Sequence, residues 1–390
     1  MAPRPRLLVV ASTFPSSAED PAPAFVRDLA AFEATRYETT VLVPAVAGAV
    51  AEEETHGIRV RRFRYFPRRW EDLADGAILE NLRAKRSRWL QVVPFLIAEA
   101  FAMRRLVRRF DPAVLHIHWI IPQGIVALVG GRGRPMLITT LGGDIYGLND
   151  PISRALIRRV LRRASTVTTM NSEMRERLVE LGARPDQVEL LPMGADVPGI
   201  RSLSAGVERV PGRVLFVGRL VEKKGLPVLL DAVRALDPDS FELRIVGDGP
   251  LRAELDAAAA GLPVTFLGAL PRAALAREYA AASAVVFPSV KAASGDQDGL
   301  PVALLEAMAA GSPVIASELP GLADAVVDGA SGLLFPSGDA AALTARLRTV
   351  LGDPEQAARL GAGAYARAEQ YSVASIGARY ADLLDRVRGD

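Results

Sequence analysis

Short apolar runs alternate with helical patterns along the first half of the chain. Unbroken apolar runs are typical of strands that are buried on both faces of a sheet, and apolar residues recurring every three or four positions indicate amphipathic helices. The pattern predicts strands at 6–13, 39–44, 114–119, 136–141, 166–170 and 188–192, and helices at 22–36, 78–110, 151–163 and 172–181. Pro94 is expected to break or kink the second of these helices.

The same alternation restarts in the second half. It predicts strands at 214–218, 243–247, 264–267, 284–288, 313–316 and 332–335, most of them followed by a helix, and terminal helices at 339–352, 354–370 and 372–388. Parallel strands need crossover connections, so strands that alternate with helices favour parallel sheets covered on both faces. We therefore expect an α/β protein with two doubly wound, Rossmann-like domains facing across a cleft.

A loss of periodicity marks the boundary between the two domains. Residues 194–212 gather glycine and proline, as linkers do. We place an N-terminal domain at 1–193, a linker at 194–212, a C-terminal domain at 213–370, and a last helix at 371–390 that could pack back on the N-terminal domain. The size agrees, because 390 residues with 50% apolar content are too many for one core.

Composition removes several classes of chemistry. The chain has no cysteine, which excludes disulfides, thiolate zinc sites and cysteine nucleophiles, and its three histidines are too few for a multi-histidine metal cluster. No apolar run is long enough for a signal peptide or a membrane span, so we expect a cytoplasmic protein. Residues 92–109 end in four arginines, and they fit either an amphipathic helix at the inner face of the membrane or a helix packed on the core.

The small net charge of +2 hides an asymmetry. Residues 1–200 hold 28 basic and 22 acidic residues, whereas 201–390 hold 19 and 23. Fourteen basic and five acidic residues lie within 59–109. Such a patch suits the phosphates of nucleic acid, anionic lipid or a diphosphate-linked acceptor, or it is a solvated surface. Zinc-finger spacings and aromatic-rich strand signatures are lacking, so nucleic acid is not an expected partner.

The densest candidate motif is the stretch from Phe216 to Gly225, a strand that ends at Gly218 and is followed by Arg219 and Lys224. Arginine clamps phosphate oxygens through two hydrogen bonds, and lysine neutralises phosphate charge as a point cation. The pair therefore suits a diphosphate leaving group, with surface cations as the alternative. Gly247 ends the next strand in a glycine turn that lets a ligand approach the backbone.

A polar loop and a helix follow the strand at 284–288. Free amides around Gly299 and Leu300 at the start of that helix favour an anion. Asp298 ends the loop, and Glu306 lies among apolar helix residues, where sugar or ribose hydroxyls could supply its hydrogen bonds. Asp296 and Asp298 also fit a metal-binding pair of carboxylates, but Arg219 and Lys224 already supply positive charge, so no metal is expected.

The first domain offers candidates for an acceptor site. Phe14 and Asp20 lie in a loop that follows the first strand, where substrates of such sheets bind. His118 shares one face of a strand with His116 and could contact a reacting sugar or be a packed core residue. Asp144, in a glycine turn after another strand, could orient an acceptor hydroxyl or cap its own turn.

These motifs resemble glycosyltransferase family 4, whose members are retaining enzymes of the GT-B fold. The resemblance covers essentially the whole chain and is most specific over 214–335, through the Phe216 to Gly225 stretch, the Gly299 to Gly311 helix and the segments 320–329 and 332–336. Asp298 stands where the family usually has a glutamate that is one methylene longer. Leu141 stands where related enzymes often have a histidine.

The resemblance implies a function for these residues. Arg219 and Lys224 would hold the donor diphosphate, Glu306 the ribose hydroxyls, and Gly218, Gly247, Asp298, Gly299 and Leu300 the remaining donor surface, while Phe14, Asp20 and Asp144 would meet the acceptor. His118, Asp144, Arg219 and Lys224 are the catalytic candidates. The expected reaction moves a hexose from UDP or GDP to a glycan, lipid-linked or small-molecule acceptor without a cofactor or metal, as in polysaccharide biosynthesis.

Two other classes stay open. A nucleotide-sugar epimerase or phosphorylase of the same architecture would share the donor motifs. A non-catalytic nucleotide-sugar-binding protein is the second alternative, because Leu141 and Asp298 depart from the enzyme pattern.

Overall fold

The chain forms two compact units, each built on its own sheet. The computed structural model describes residues 3–17, 20, 22–76, 78–146 and 150–389. The first unit contains Met1–Pro192 and Ile376–Asp390, and the second contains Met193–Ser375. The α/β class and the two Rossmann-like sheets predicted from the alternation are confirmed.

An eight-stranded sheet forms the centre of the first unit. Its strands are β1 (Arg6–Val10), β2 (Glu38–Pro44), β3 (Glu52–Thr55), β4 (Ile58–Phe63), β5 (Val114–His118), β6 (Met136–Thr139), β7 (Thr166–Thr169) and β8 (Val188–Leu190). Their order is β3-β4-β2-β1-β5-β6-β7-β8, and every pair is parallel except β3 with β4. Leu7 to Val10 have no exposed surface, because helices cover both faces of the sheet.

Among the described residues of this unit, seven α-helices connect these strands. They are α1 (Phe25–Glu33), α2 (Ile78–Ala84), α3 (Trp89–Phe110), α4 (Ile125–Gly130), α5 (Gly143–Tyr146), α6 (Pro151–Arg163) and α7 (Ser172–Glu180). Helix α6 shows why a helix begins where it does: the Asp150 carboxylate accepts hydrogen bonds from the amides of Ile152 and Ser153, and Pro151 occupies the first helical position, where its missing N–H costs nothing.

A six-stranded parallel sheet forms the second unit. Its strands are β9 (Arg213–Val217), β10 (Glu242–Val246), β11 (Val264–Gly268), β12 (Ala284–Phe287), β13 (Val314–Ser317) and β14 (Leu333–Phe335), in the order β11-β10-β9-β12-β13-β14. Alternation along β9 sends Val214 and Phe216 into one apolar core and Leu215 and Val217 into the other. The strand is therefore buried on both faces.

Eight helices cover this sheet, and one more ends the chain. They are α8 (Val197–Ser204), α9 (Leu226–Arg234), α10 (Arg252–Ala258), α11 (Arg272–Ala281), α12 (Val302–Ala309), α13 (Pro320–Ala325), α14 (Ala340–Gly352), α15 (Pro354–Ala368) and α16 (Val373–Gly389). Most of α16 belongs to the first unit. There the Tyr380 hydroxyl donates to the Leu191 carbonyl at 3.0 Å, and Arg386 pairs with Glu189 at 3.1 Å.

Besides the short helices α4 and α5, which were not predicted, the structure differs from the predicted elements in three places. The antiparallel hairpin of β3 and β4 was missed, because glutamate and arginine side chains dilute its apolar alternation. The chain interrupts its helix at Lys85 rather than at Pro94, which lies inside a continuous α3. The segment 194–212, predicted as a linker, contains α8 and belongs to the second unit, because Val197 and Ile200 are buried in its core.

Within the described ranges, no helix is both long and apolar enough to cross a membrane.

Candidate active site

The order of strands places the candidate donor residues at one point of the second sheet. The chain builds outwards from β9 in one direction and from β12 in the other, so the topology reverses between these two strands. Ligands of such sheets bind beyond the carboxyl ends of the strands at this reversal. Arg219 and Lys224 follow β9, and Asp298 follows β12, so chain topology brings distant parts of the sequence together.

Two glycines allow the loops at this edge to pack closely. Gly225 has a φ of +64°, and a Cβ built on it would lie 1.8 Å from the Pro288 carbonyl oxygen. Gly247 has a φ of +130°, and its Cβ would lie 2.0 Å from the Gly218 oxygen. No side chain can be tolerated at either contact. These glycines therefore fix the loop after β9 against those after β10 and β12.

Two lysine–aspartate pairs link the loop after β9 to the loop after β12. Lys224 Nζ donates to Asp298 Oδ2 at 2.8 Å, and Lys223 Nζ lies 3.1 Å from Asp296 Oδ2. Ser289 Oγ also donates to Asp298 Oδ2, at 2.7 Å. The two carboxylates thus contact different lysines instead of turning toward one another.

The charge of Asp298 depends on these lysines. The residue is buried, and burial by itself raises the pKa of a carboxyl group. The positive charges of Lys224 and Lys223, with hydrogen bonds from Lys224 and Ser289, outweigh burial, so the pKa of Asp298 lies below its usual value. Asp298 is therefore ionised at neutral pH and cannot act as a proton donor there.

Glu306 lies on α12, and one of its carboxylate oxygens accepts a hydrogen bond from the neighbouring helix α11. The hydroxyl of the buried Tyr279 on α11 donates to Glu306 Oε2 at 3.2 Å. Burial and the neighbouring Glu306 charge raise the pKa of Tyr279, so the hydroxyl stays protonated and able to donate. Glu306, the fifth residue of α12, is thus a half-exposed carboxylate with a fixed orientation.

The other candidate donor residues surround this cluster at strand ends. Gly218 immediately follows β9, and its amide donates to the Val246 carbonyl at 3.0 Å. Arg219 is half-buried in the same loop. Gly299 is buried and Leu300 half-buried just before α12, whose first residue is Val302. No described side chain caps α12, and the amides at the start of a helix favour an anion, although that of Leu304 already donates to the Pro301 carbonyl.

The acceptor candidates lie at the corresponding reversal of the first sheet, between β1 and β5. Phe14 follows β1 and is buried, with the Arg62 guanidinium 5.6 Å from its ring centre. Asp20 accepts hydrogen bonds from the Ser16 and Ala22 amides at 2.6 and 2.8 Å, and thus stabilises its own loop. Residues 18, 19 and 21 of this loop lie outside the described part of the chain.

His118 ends β5 and is almost fully buried. Its ring lies 4.4 Å from that of His116, and its Nδ1 has no hydrogen-bond partner among the described residues. His116 is occupied on both sides, by Glu33 at 2.7 Å and by Thr139 at 2.8 Å. Burial, reinforced by His116, lowers the pKa of His118 well below its usual value. The imidazole is therefore neutral at pH 7.

Asp144 serves its own turn in this structure. Its carboxylate accepts hydrogen bonds from the amides of Leu141 and Gly142, both at 3.2 Å, and from the amide of Ile120 at 2.9 Å. It thereby ties the turn after β6 to the chain just beyond His118. Burial raises the pKa of Asp144, although the amide bonds oppose that effect.

Three residues of this cluster were not among the candidates named from the sequence: Lys223, Ser289 and Tyr279. Each of them contacts a candidate carboxylate or its neighbour in another element, as Ser289 contacts Asp298 and Tyr279 contacts Glu306. Lys223 stands next to Lys224, and this doubled lysine was the available signal.

Comparison with known families covers most of both units. Residues 21–194 match the family described as "Glycosyl transferase 4-like domain", and residues 211–353 match "Glycosyl transferases group 1".

Individual relatives point the same way. The D-inositol 3-phosphate glycosyltransferase of Nocardia farcinica is 34% identical over 343 residues, which cover 77% of this chain and 74% of the relative. The amylovoran biosynthesis glycosyltransferase AmsK of Erwinia amylovora is 37% identical over 177 residues, or 44% of each chain. The match thus spans less than half of AmsK.

The fold agrees with a solved structure. HepE of Anabaena, solved in complex with UDP-glucose, has a TM-score of 0.71 and 20% identity, with 98% of this chain and 99% of that chain covered. The similarity at this identity concerns the fold. Together with the family matches and the sequence relatives, it establishes that the chain belongs to glycosyltransferase family 4 and has the GT-B fold.

Proposed function

We propose that this protein is a retaining, metal-independent glycosyltransferase that moves a hexose from UDP or GDP to a glycan, lipid-linked or small-molecule acceptor. The observation that carries the proposal is the paired lysine–aspartate cluster at the topological reversal of the second sheet. It concentrates cations at the place where a sheet of this order binds its ligand.

Lys224 is suited to a diphosphate because its ammonium has three N–H donors and donates one of them to Asp298. Lys223, beside it, adds a second positive charge at the same edge. A diphosphate at this edge would receive hydrogen bonds from the lysines and from Arg219, as well as from the first amides of α12. These groups would stabilise the negative charge that develops on the leaving group. Because the cations come from the chain itself, the reaction needs no metal for that purpose.

Asp298 and Glu306 are suited to the neutral parts of a nucleotide sugar. Lys224 and Ser289 both contact Asp298 Oδ2. An ionised carboxylate has further acceptor sites, which can take hydrogen bonds from sugar hydroxyls. Glu306, oriented by Tyr279, would accept hydrogen bonds from the ribose. The shorter reach of Asp298 would favour a sugar that lies close to the lysines.

Retention of the anomeric configuration follows from the base that we propose, because the acceptor must approach C1 on the side where its proton can reach that base. The neutral His118 is held in a buried position, and Asp144 is occupied by three amides. A leaving phosphate oxygen is then the available base. The C1–phosphate bond breaks with its electron pair on the diphosphate, the acceptor oxygen bonds to C1 on the same side, and the acceptor proton passes to the phosphate.

The experiment that tests this function measures diphosphate release by the full chain from UDP- and GDP-sugars, with and without acceptors and with EDTA. We expect release that depends on acceptor, survives EDTA and gives a product with the donor's anomeric configuration. Donor turnover without acceptor would indicate an epimerase, and dependence on free phosphate a phosphorylase. Tight binding without release would indicate a non-catalytic binding protein.

A further inference from the structure

Helix α3 carries a row of large apolar side chains on the surface of the first unit. Their exposed fractions lie between 51% and 74%, although apolar side chains of this size are usually buried. We call this row, with Trp70, the α3 surface; its helical members are Trp89, Leu90, Val93, Ile97 and Phe101. Positions 93, 97 and 101 repeat every four residues and therefore lie on one side of the helix.

The exposed row does not contribute to the apolar core of the first unit. The opposite side of α3 supplies the buried residues, which are Gln91, Phe95, Glu99, Met103 and Val107. The helix is thus apolar on two sides, and only one of them is covered. Over the twelve residues from Leu90 to Phe101 the uncovered row extends about 16 Å along the helix.

A second exposed tryptophan, Trp70, lies in the segment that Gln91 joins to the start of α3. Trp70 is 53% exposed, and the Arg69 guanidinium stacks on its ring at 3.9 Å. Gln91 fixes this segment to α3, since its side chain accepts from the Asp72 amide and donates to the Asp72 carboxylate at 2.7 Å. Two tryptophans therefore lie at one end of the α3 surface.

Arginine and lysine flank the row at both ends. Arg104, Arg105, Arg108 and Arg109 are exposed in the last turns of α3, and within the described ranges none of them has an acidic partner. Arg83, Lys85 and Arg86 are exposed just before the helix. Most of the nearby acids are engaged or covered: Glu71 pairs with Arg64, Asp72 pairs with Arg88 and Lys85, and Glu99 is buried, whereas Asp75 is exposed.

We propose that the α3 surface docks on an anionic lipid bilayer, with α3 lying in the plane of the membrane. Apolar side chains on a projecting helix insert at the boundary between headgroups and acyl chains, tryptophan is favoured there, and arginines on either side contact lipid phosphates. A second copy of the chain fits less well, because a two-fold pairing of α3 would bring clusters of positive charge together whether the helices ran parallel or antiparallel.

Vesicle flotation of the full chain tests this proposal. With phosphatidylcholine vesicles that contain about a third phosphatidylglycerol, we expect an affinity at least about tenfold higher than with phosphatidylcholine alone, and a loss of binding in high salt. Trp fluorescence should shift to shorter wavelength on binding. Equal binding to both vesicles, or binding to neither, would overturn the proposal.

Paired variants separate the apolar and the basic contributions. Ile97→Gln with Phe101→Gln should reduce vesicle binding at least about tenfold, because both side chains would insert. Arg104→Gln with Arg108→Gln should remove the preference for anionic lipid. Arg159→Gln with Arg162→Gln changes two exposed arginines on α6 and is the matched control, for which we expect binding like that of the unchanged protein.

All these positions are exposed, so unchanged circular dichroism and thermal midpoints would show that the variants fold. If the Ile97/Phe101 variant binds vesicles as well as the control does, the α3 surface is not the membrane contact. A dimer that this variant dissociates, without any lipid binding, would assign the surface to a second copy instead.

Discussion

Both units bury carboxyl groups, but the partners of these groups differ. In the second unit Asp298 lies between Lys224 and Ser289, and the lysines hold its pKa below the usual value despite burial. In the first unit Glu99 receives a hydrogen bond from Gln123, and burial raises its pKa to about 8. A neighbouring cation keeps a buried carboxyl group charged and able to bind a ligand. A buried carboxyl group that has no neighbouring cation stays neutral and contributes to the packing of the fold.

The largest effect is expected from removing the cation. Lys224→Ala should lower turnover of a nucleotide sugar by about 100- to 1000-fold, because it removes a donor to the leaving group. Lys291→Ala, an exposed lysine of the same unit, is the matched control and should stay near normal. Steady-state rates of diphosphate release measure both. A Lys224→Ala enzyme as active as the control would mean that this lysine does not contact the diphosphate.

The next effect concerns stability in the first unit. Asp144→Ala should lower the free energy of unfolding by about 3 kcal/mol, since the buried amides of Ile120 and Gly142 and the half-buried amide of Leu141 lose their acceptor. Asp150→Ala removes an exposed helix cap and should cost about 1 kcal/mol. Urea unfolding of both variants gives the comparison. A smaller loss for Asp144→Ala than for Asp150→Ala would contradict the structural role.

The pH dependence of stability should distinguish the neutral carboxyl of Glu99. Between pH 4.5 and about 8 the unfolded chain has lost the Glu99 proton and the folded chain keeps it, so this group makes stability fall as pH rises. Glu99→Gln removes that loss. The variant should gain up to about 1.4 kcal/mol per pH unit relative to the unchanged protein across this range. A difference in unfolding free energy that is independent of pH would show that Glu99 titrates normally.

The smallest effect is expected at the contact that orients Glu306. Tyr279→Phe keeps the buried ring and removes one hydrogen bond, worth about 1 kcal/mol, so nucleoside diphosphate should bind roughly fivefold more weakly. Calorimetric titration measures this change. If nucleoside affinity is unaffected while stability drops, the hydroxyl stabilises the fold and does not position Glu306.

The local pattern of apolar and polar residues predicted most of the helices and strands. It failed for elements whose structure depends on contacts with residues distant in the chain. The buried strands have continuous apolar runs, so β9 and β12 were found, and the motif from Phe216 to Gly225 contains Lys224, the lysine that we propose to contact the diphosphate. The β3–β4 hairpin was missed because charged residues interrupt its alternation. Helix α8 within 194–212 was not predicted, because it is short and its buried side chains become apparent only against the core.

The sequence identified the types of residue at the candidate site, but it did not predict which of them form hydrogen bonds or ion pairs with each other. The sequence contains Asp296 and Asp298 as an apparent metal pair, and only the fold assigns each of them to its own lysine. His118 lies at the end of β5, as predicted, and Asp144 lies in the short helix α5 that follows β6. Burial sets the charge of His118, and three amide bonds occupy Asp144. Such effects arise from neighbours that are distant in the chain.

The most direct measurement is the affinity of the protein for a nucleoside diphosphate relative to the same nucleoside, determined by calorimetry with uridine and guanosine compounds. The central claim is that Lys224 and its neighbours bind the diphosphate. The unchanged protein and Lys291→Ala should prefer the diphosphate of one base strongly, and Lys224→Ala should lose most of that preference while nucleoside affinity stays constant. An equal preference in Lys224→Ala and Lys291→Ala would contradict the claim.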